Sequence, residues 1–84
     1  MKMSEKLYND NHKYVIEYDS DRKEIYGTNY KNREEPKSFY TTKKRSILKA
    51  WEYIKANIDN MDYYDIIVYL NNNKLWTRSY CDND

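Results

Sequence analysis

A chain of 84 residues holds one domain, and its 15 basic and 14 acidic residues leave a net charge of +1. That near-neutral balance argues against a dedicated nucleic-acid domain, which usually runs more basic. Leu, Ile, Val and Phe together fill fewer than one position in five, the level at which disorder becomes an option, but 11 Tyr and 2 Trp supply rings that can replace the missing aliphatics.

The single cysteine, Cys81, permits no intramolecular disulfide and points to a reducing compartment, hence the cytoplasm of the cell that makes the protein. Residues 1–11 are polar, carry no apolar run of signal-peptide length, and read as a flexible lead. No later segment is apolar enough to span a membrane. There is no evident internal repeat. Gly27 and Pro36 are the only residues of their types, so turns are expected to use Asn and Asp, which tolerate left-handed backbone.

In chain order, residues 12–18 alternate as a strand, with Tyr14, Ile16 and Tyr18 on one face. Asp19–Arg22 is a turn cluster, residues 23–30 a return strand, 31–37 a polar loop, and 38–40 a short extended piece. Thr41 or Thr42 is placed to cap a helix over about 43–58, where Ile47, Trp51, Ile54 and Ile58 recur at helical spacing and Leu48 broadens the stripe. Residues 64–70, rich in β-branched side chains, read as a strand. Asn71–Lys74 reads as a hairpin turn, residues 75–80 as the last strand, and 81–84 as a flexible tail. The expectation is a single α+β domain over 1–84: a four-stranded antiparallel sheet in ββαββ order with one helix packed on one face.

Catalytic and metal chemistry find little to work with. His12 and Cys81 are lone residues far apart in sequence, there is no CxxC or HExxH, and one glycine cannot build a phosphate loop. Asp59, Asp62 and Asp65 are spaced three apart, but a solvated acidic loop is the simpler reading than a hard-cation site. No enzymatic activity, metal or cofactor is expected.

Two surfaces remain as binding candidates. Lys43, Lys44 and Arg45 start the helix against the direction its dipole favours, so stability alone would not choose them. The helix direction brings Lys74, and with it Lys37, toward this basic pole, suited to an anion or nucleic acid. Asp59, Asp62, Asp65, Asp82 and Asp84 gather at an acidic pole. With a two-residue loop at Asn72–Asn73, Leu70 faces Leu75, Val68 faces Thr77 and Ile66 faces Ser79 under the helix. The open face then carries Ile67, Tyr69, Trp76, Arg78 and Tyr80, an aromatic patch beside a cation of the kind that dominates protein interfaces.

Thr41-Thr42 followed by Ser46 and Ala50, with Leu75-Trp76 after an asparagine-rich turn, resembles the small anti-defence proteins of phages and mobile elements of the anti-CRISPR type, over about residues 41–80. The resemblance implies a non-catalytic inhibitor that occludes the surface of a larger protein or ribonucleoprotein, in the host cytoplasm. It carries over no binding residue. Two other readings stand beside it: a nucleic-acid-binding accessory protein using the basic helix start, and a self-associating structural domain, such as a homodimer joined through the aromatic face.

Overall fold

The computed structural model describes residues 4–79. Five strands form one antiparallel sheet in sequence order: β1 (Ser4–Asn9), β2 (Tyr14–Asp19), β3 (Glu24–Asn29), β4 (Lys37–Tyr40) and β5 (Trp76–Ser79). Between β4 and β5 the chain forms α1 (Lys44–Asn57), a single 3-10 turn (Ile58–Asn60) and α2 (Tyr63–Asn72). The fold is therefore α+β with an antiparallel sheet, as expected. It has one more strand and one more helix than the ββαββ reading.

The first three strands repeat with a period of ten: six residues of strand, then a four-residue turn. Each strand ends on an Asx residue that is itself buried: Asn9, Asp19 and Asn29. Their side-chain oxygens accept from turn amides: Asn9 from His12 at 3.0 Å, Asp19 from Asp21 at 3.0 Å and Arg22 at 3.1 Å, Asn29 from Lys31 at 3.1 Å. Four residues after each Asx, the chain reverses through a left-handed residue: Lys13, Lys23 and Arg33. Asn and Asp thus hold the turns with their side chains, and basic residues take the left-handed backbone expected of Asn and Asp. The repeat lies in turn chemistry and register, which a search for similar residues misses.

Register sorts the two sheet faces. Leu7, Ile16 and Gly27 are cross-strand partners, as are Tyr18, Ile25 and Phe39 along β2, β3 and β4, so these residues share the inner face. Both helices cover that face. The core joins Tyr14, Ile16, Tyr18, Ile25 and Phe39 of the sheet to Ile47, Ala50, Trp51 and Ile54 of α1 and Tyr63, Ile66 and Leu70 of α2. The expected α1 stripe is buried as read, including Ile58 in the 3-10 turn, but Leu48 is exposed. Gly27 admits the Tyr63 ring: a Cβ there would stand 2.8 Å from the Tyr63 Oη.

Trp51 stacks on Tyr18 at 5.6 Å between ring centroids and donates its indole N–H to Glu5, which also pairs with Lys55 at 3.5 Å. Through Glu5, β1 is fastened to α1, so residues 4–9 of the expected flexible lead are an edge strand. Residues 81–84, the expected flexible tail, lie outside the described residues.

The segment 64–70 is helical, against its strand propensity. Asp62 accepts from the Asp65 backbone N–H at 2.8 Å, and Asp65 accepts from the Asp62 N–H at 3.1 Å, a reciprocal capping box. Tyr63, Ile66 and Leu70 then recur on one buried stripe. Burial against the sheet outweighs the roughly 1 kcal/mol range of β-propensity in Ile66, Ile67 and Val68. The expected hairpin register consequently does not form: β5 pairs with β4, with Trp76 opposite Tyr40 and Thr77 opposite Phe39. Among the described residues no helix is long and apolar enough to cross a membrane.

Candidate functional site

The α1 start and the α2 end meet at one corner of the molecule, and their local chemistry differs sharply. At α1, Lys43 is the N-cap residue and gives no side-chain cap, and the first turn holds no acid. Thr41 does not cap the helix; its Oγ1 accepts from the Lys43 N–H at 3.2 Å.

At α2 the chain closes tightly. Leu75 N–H donates to Leu70 C=O at 3.1 Å and Lys74 N–H to Asn71 C=O at 3.0 Å, the pairing of a Schellman motif. Leu70 and Leu75 are both buried, which supplies the usual apolar contact across it. Lys74 occupies the left-handed position with φ 64°, where Gly or Asn is favoured.

These two ends enclose a cleft of about 340 Å³ lined by Thr41, Thr42, Lys43, Ser46, Asn72, Asn73, Lys74 and Trp76. A second cleft of about 320 Å³ adjoins it, with Ser46 and Asn73 lining both, and continues past Lys49 and Ala50 to Tyr53 and Tyr69. The result is one groove between the helices. At one end Trp76 tilts against Tyr40 at 6.4 Å and 37°; at the other Tyr53 stacks on Tyr69 at 4.1 Å and 13°. Burial, with Tyr53 beside it, pushes the Tyr69 hydroxyl pKa up. Among the described residues three lysines line the groove and no carboxylate does.

The sequence-predicted residues distribute as follows. Lys43 and Lys74 come together as expected. Lys44 and Arg45 are exposed on the first turn of α1 and line neither cleft. The expected aromatic sheet face is divided: Ile67 and Tyr69 are half-buried on α2, while Trp76 and Arg78 are on the outer register of β5, Trp76 at the sheet end where it also borders the cleft. Tyr80 lies outside the described residues. The two separate expectations, a basic pole and an aromatic patch, thus meet at Trp76. Lys49 and Tyr53 were not singled out from sequence, and Ser46 was noted only in the resemblance; they mark the polar flank of the α1 stripe, legible only once a second helix is known to lie beside it.

The acidic pole has a local explanation. Asp62 and Asp65 form the α2 capping box and favour the positive end of that helix, and Asp59 is exposed in the 3-10 turn. Asp82 and Asp84 lie outside the described residues. Next to this pole is a cavity of about 380 Å³ lined by residues of mixed charge, including Lys31, Lys37, Glu34 and Asp62. Glu34 accepts from Asn32, Lys37 and Asn29 at 3.2–3.3 Å. Those donors, Asn32 foremost, hold its carboxyl below the usual range. Lys37 is therefore committed to Glu34 and does not join the basic corner.

The outer sheet face is uncovered. Tyr8, Tyr40 and Trp76 expose 63, 43 and 52% of their surface there, interspersed with Lys6, Glu17, Glu24 and Arg78. Comparison with family models, with curated proteins and with solved structures finds no match to this chain.

Proposed function

We propose that this chain is a non-enzymatic inhibitor or adaptor that occludes the surface of a larger protein or ribonucleoprotein, and that the groove between α1 and α2 is its docking site. A phage or mobile-element protein directed at a host defence complex such as CRISPR–Cas fits this reading. The observation that carries the docking site is the groove itself: three lysines and, among the described residues, no carboxylate, with Trp76 at one end and the Tyr53–Tyr69 stack at the other. Trp and Tyr anchors at a concave surface are what interface hot spots use, and a like-signed rim of lysines gives electrostatic complementarity to an acidic partner.

The test is a protection assay. Cells with an active CRISPR–Cas system that targets a phage are infected while expressing the wild-type chain or a Lys43→Glu/Lys74→Glu/Trp76→Ala variant of equal solubility. Restored plaquing with the wild type and its loss in the variant is the expected result. A folded wild-type chain without effect in any interference system tested removes the anti-CRISPR reading.

One observation favours a second reading. Exposed Trp76 and Tyr40 beside Lys43 and Lys74 could stack unpaired bases. That accessory nucleic-acid role predicts salt-sensitive binding of single strands, lost when the lysines are removed.

A further inference from the structure

We infer that the groove receives a short, extended, acidic segment of a partner protein, with apolar side chains at its two ends. The inference rests on the groove being the docking site.

The dimensions set the length. From Lys43 to Tyr53, α1 runs ten residues, about 15 Å at 1.5 Å per residue. An extended chain rises about 3.3 Å per residue, so about four or five residues fill the groove. The ends set its apolar positions, against Trp76 on one side and the stacked Tyr53 and Tyr69 on the other.

Charge sets the middle. Lys6, Lys37 and Lys55 are paired with glutamates; Lys43, Lys49 and Lys74 make no ion pair among the described residues. Lys74 lines this groove from a left-handed backbone position, as Lys13, Lys23 and Arg33 take in the sheet turns. A carboxylate in this groove would complete three lysines and lie beside a helix start that has no acid of its own.

A nucleic-acid strand fits less well. Three lysines give a salt slope of only about 2 for a single strand. A strand leaving past Trp76 would also meet the outer sheet face, whose mixed charges, Lys6 and Arg78 with Glu17 and Glu24, offer no continuous basic track. A peptide segment ends its charge inside the groove.

The test is fluorescence polarisation with three labelled probes: a short peptide of glutamates flanked by phenylalanines, its Gln-for-Glu analogue, and an oligothymidylate of similar length. The acidic peptide should bind at least about tenfold more tightly than either other probe, the scale of one charge-assisted contact. Lys43→Glu/Lys74→Glu should abolish that preference, and Lys74→Asn, which suits the left-handed turn, should reduce it with the fold intact. Lys44→Glu/Arg45→Glu changes the net charge equally outside the groove and should leave most of the affinity. Equal binding of the Gln analogue, tighter binding of oligothymidylate, or equal loss in the two double variants would overturn the inference. If the acidic peptide fails but the Lys43→Glu/Lys74→Glu/Trp76→Ala variant loses protection in cells, the ligand class is wrong and the docking site stands. If neither effect is seen, both fall.

Discussion

Two buried tyrosines on facing elements show how differently one side chain can be used. The Tyr14 hydroxyl donates to the Met61 carbonyl at 2.5 Å and accepts from Asn9, closing carbonyls at the end of the 3-10 turn. The Tyr63 hydroxyl, packed over Gly27, has no hydrogen-bond partner among the described residues. Leaving such a group unpaired costs about 1–3 kcal/mol, so Tyr63→Phe should stabilise the protein by about 1 kcal/mol in urea denaturation. The gain should grow in alkali. Burial, with Glu34 adding to it, pushes the Tyr63 pKa from 10.0 up to about 12. The folded state then holds the proton longer than the unfolded chain. Tyr63's contribution is fully present below pH 10 and is lost as pH rises from there to about 12. The Phe variant lacks this loss, so its advantage over wild type should be larger at the top of that window than at neutral pH. Lys74 makes the converse case. Lys74→Gly should raise stability by about 1 kcal/mol by relieving a left-handed non-glycine residue, and should weaken groove binding in the same sample.

The helices divide their labour at the level of whole elements. The second helix is built from a sequence that favours strand, and its start depends on the reciprocal Asp62–Asp65 cap. Asp62→Ala should therefore cost about 1 kcal/mol, read as a lower urea midpoint and reduced helical circular dichroism. The first helix has the opposite character: a strong apolar stripe and no cap, with cations where acids would be favoured. Its stability comes from Trp51, Ile47 and Ile54 against the sheet, which leaves its start open to other use. The β1–β2 hairpin joins the two helices, because Asn9 donates to the carbonyls of Ile58 at 2.7 Å and Met61 at 3.3 Å. The connector between α1 and α2 is thus pinned to the sheet, which fixes how the groove walls sit.

For the molecule as a whole, one inner sheet face and two helices make the core, and the outer sheet face and the groove are left uncovered among the described residues. The two tryptophans report on this division. Trp51 is 1% exposed and Trp76 is 52% exposed. Trp51→Ala should cost about 3–5 kcal/mol, enough to unfold a domain of this size in a thermal melt. Trp76→Ala should change stability by no more than about 0.5 kcal/mol while weakening association through the groove. A melt in which the Trp76 variant collapses would place that ring in the core and contradict the β4–β5 register.

Local pattern alone determined the α+β class, the Tyr14–Ile16–Tyr18 strand face and the Ile47–Trp51–Ile54–Ile58 stripe, because each is a periodicity that one element imposes on its own residues. The meeting of Lys43 and Lys74 was expected from a hairpin at Asn71–Lys74 that does not form; the end of α2 brings Lys74 there instead. Local pattern missed β1 because an edge strand tied down through Glu5 needs few apolar residues. It misread α2 because the β-branched run at Ile66–Val68 speaks for a strand, and the Asp62–Asp65 cap and burial of Ile66 and Leu70 decide otherwise. It assigned Trp76 to the wrong neighbours because β5 pairs with a strand 36 residues earlier, Trp76 opposite Tyr40. Such pairing is chosen by which faces bury together across the whole fold. The groove is a property of two helices side by side, and so only the tertiary structure could bring Lys49 and Tyr53 to the same surface as Lys74 and Trp76.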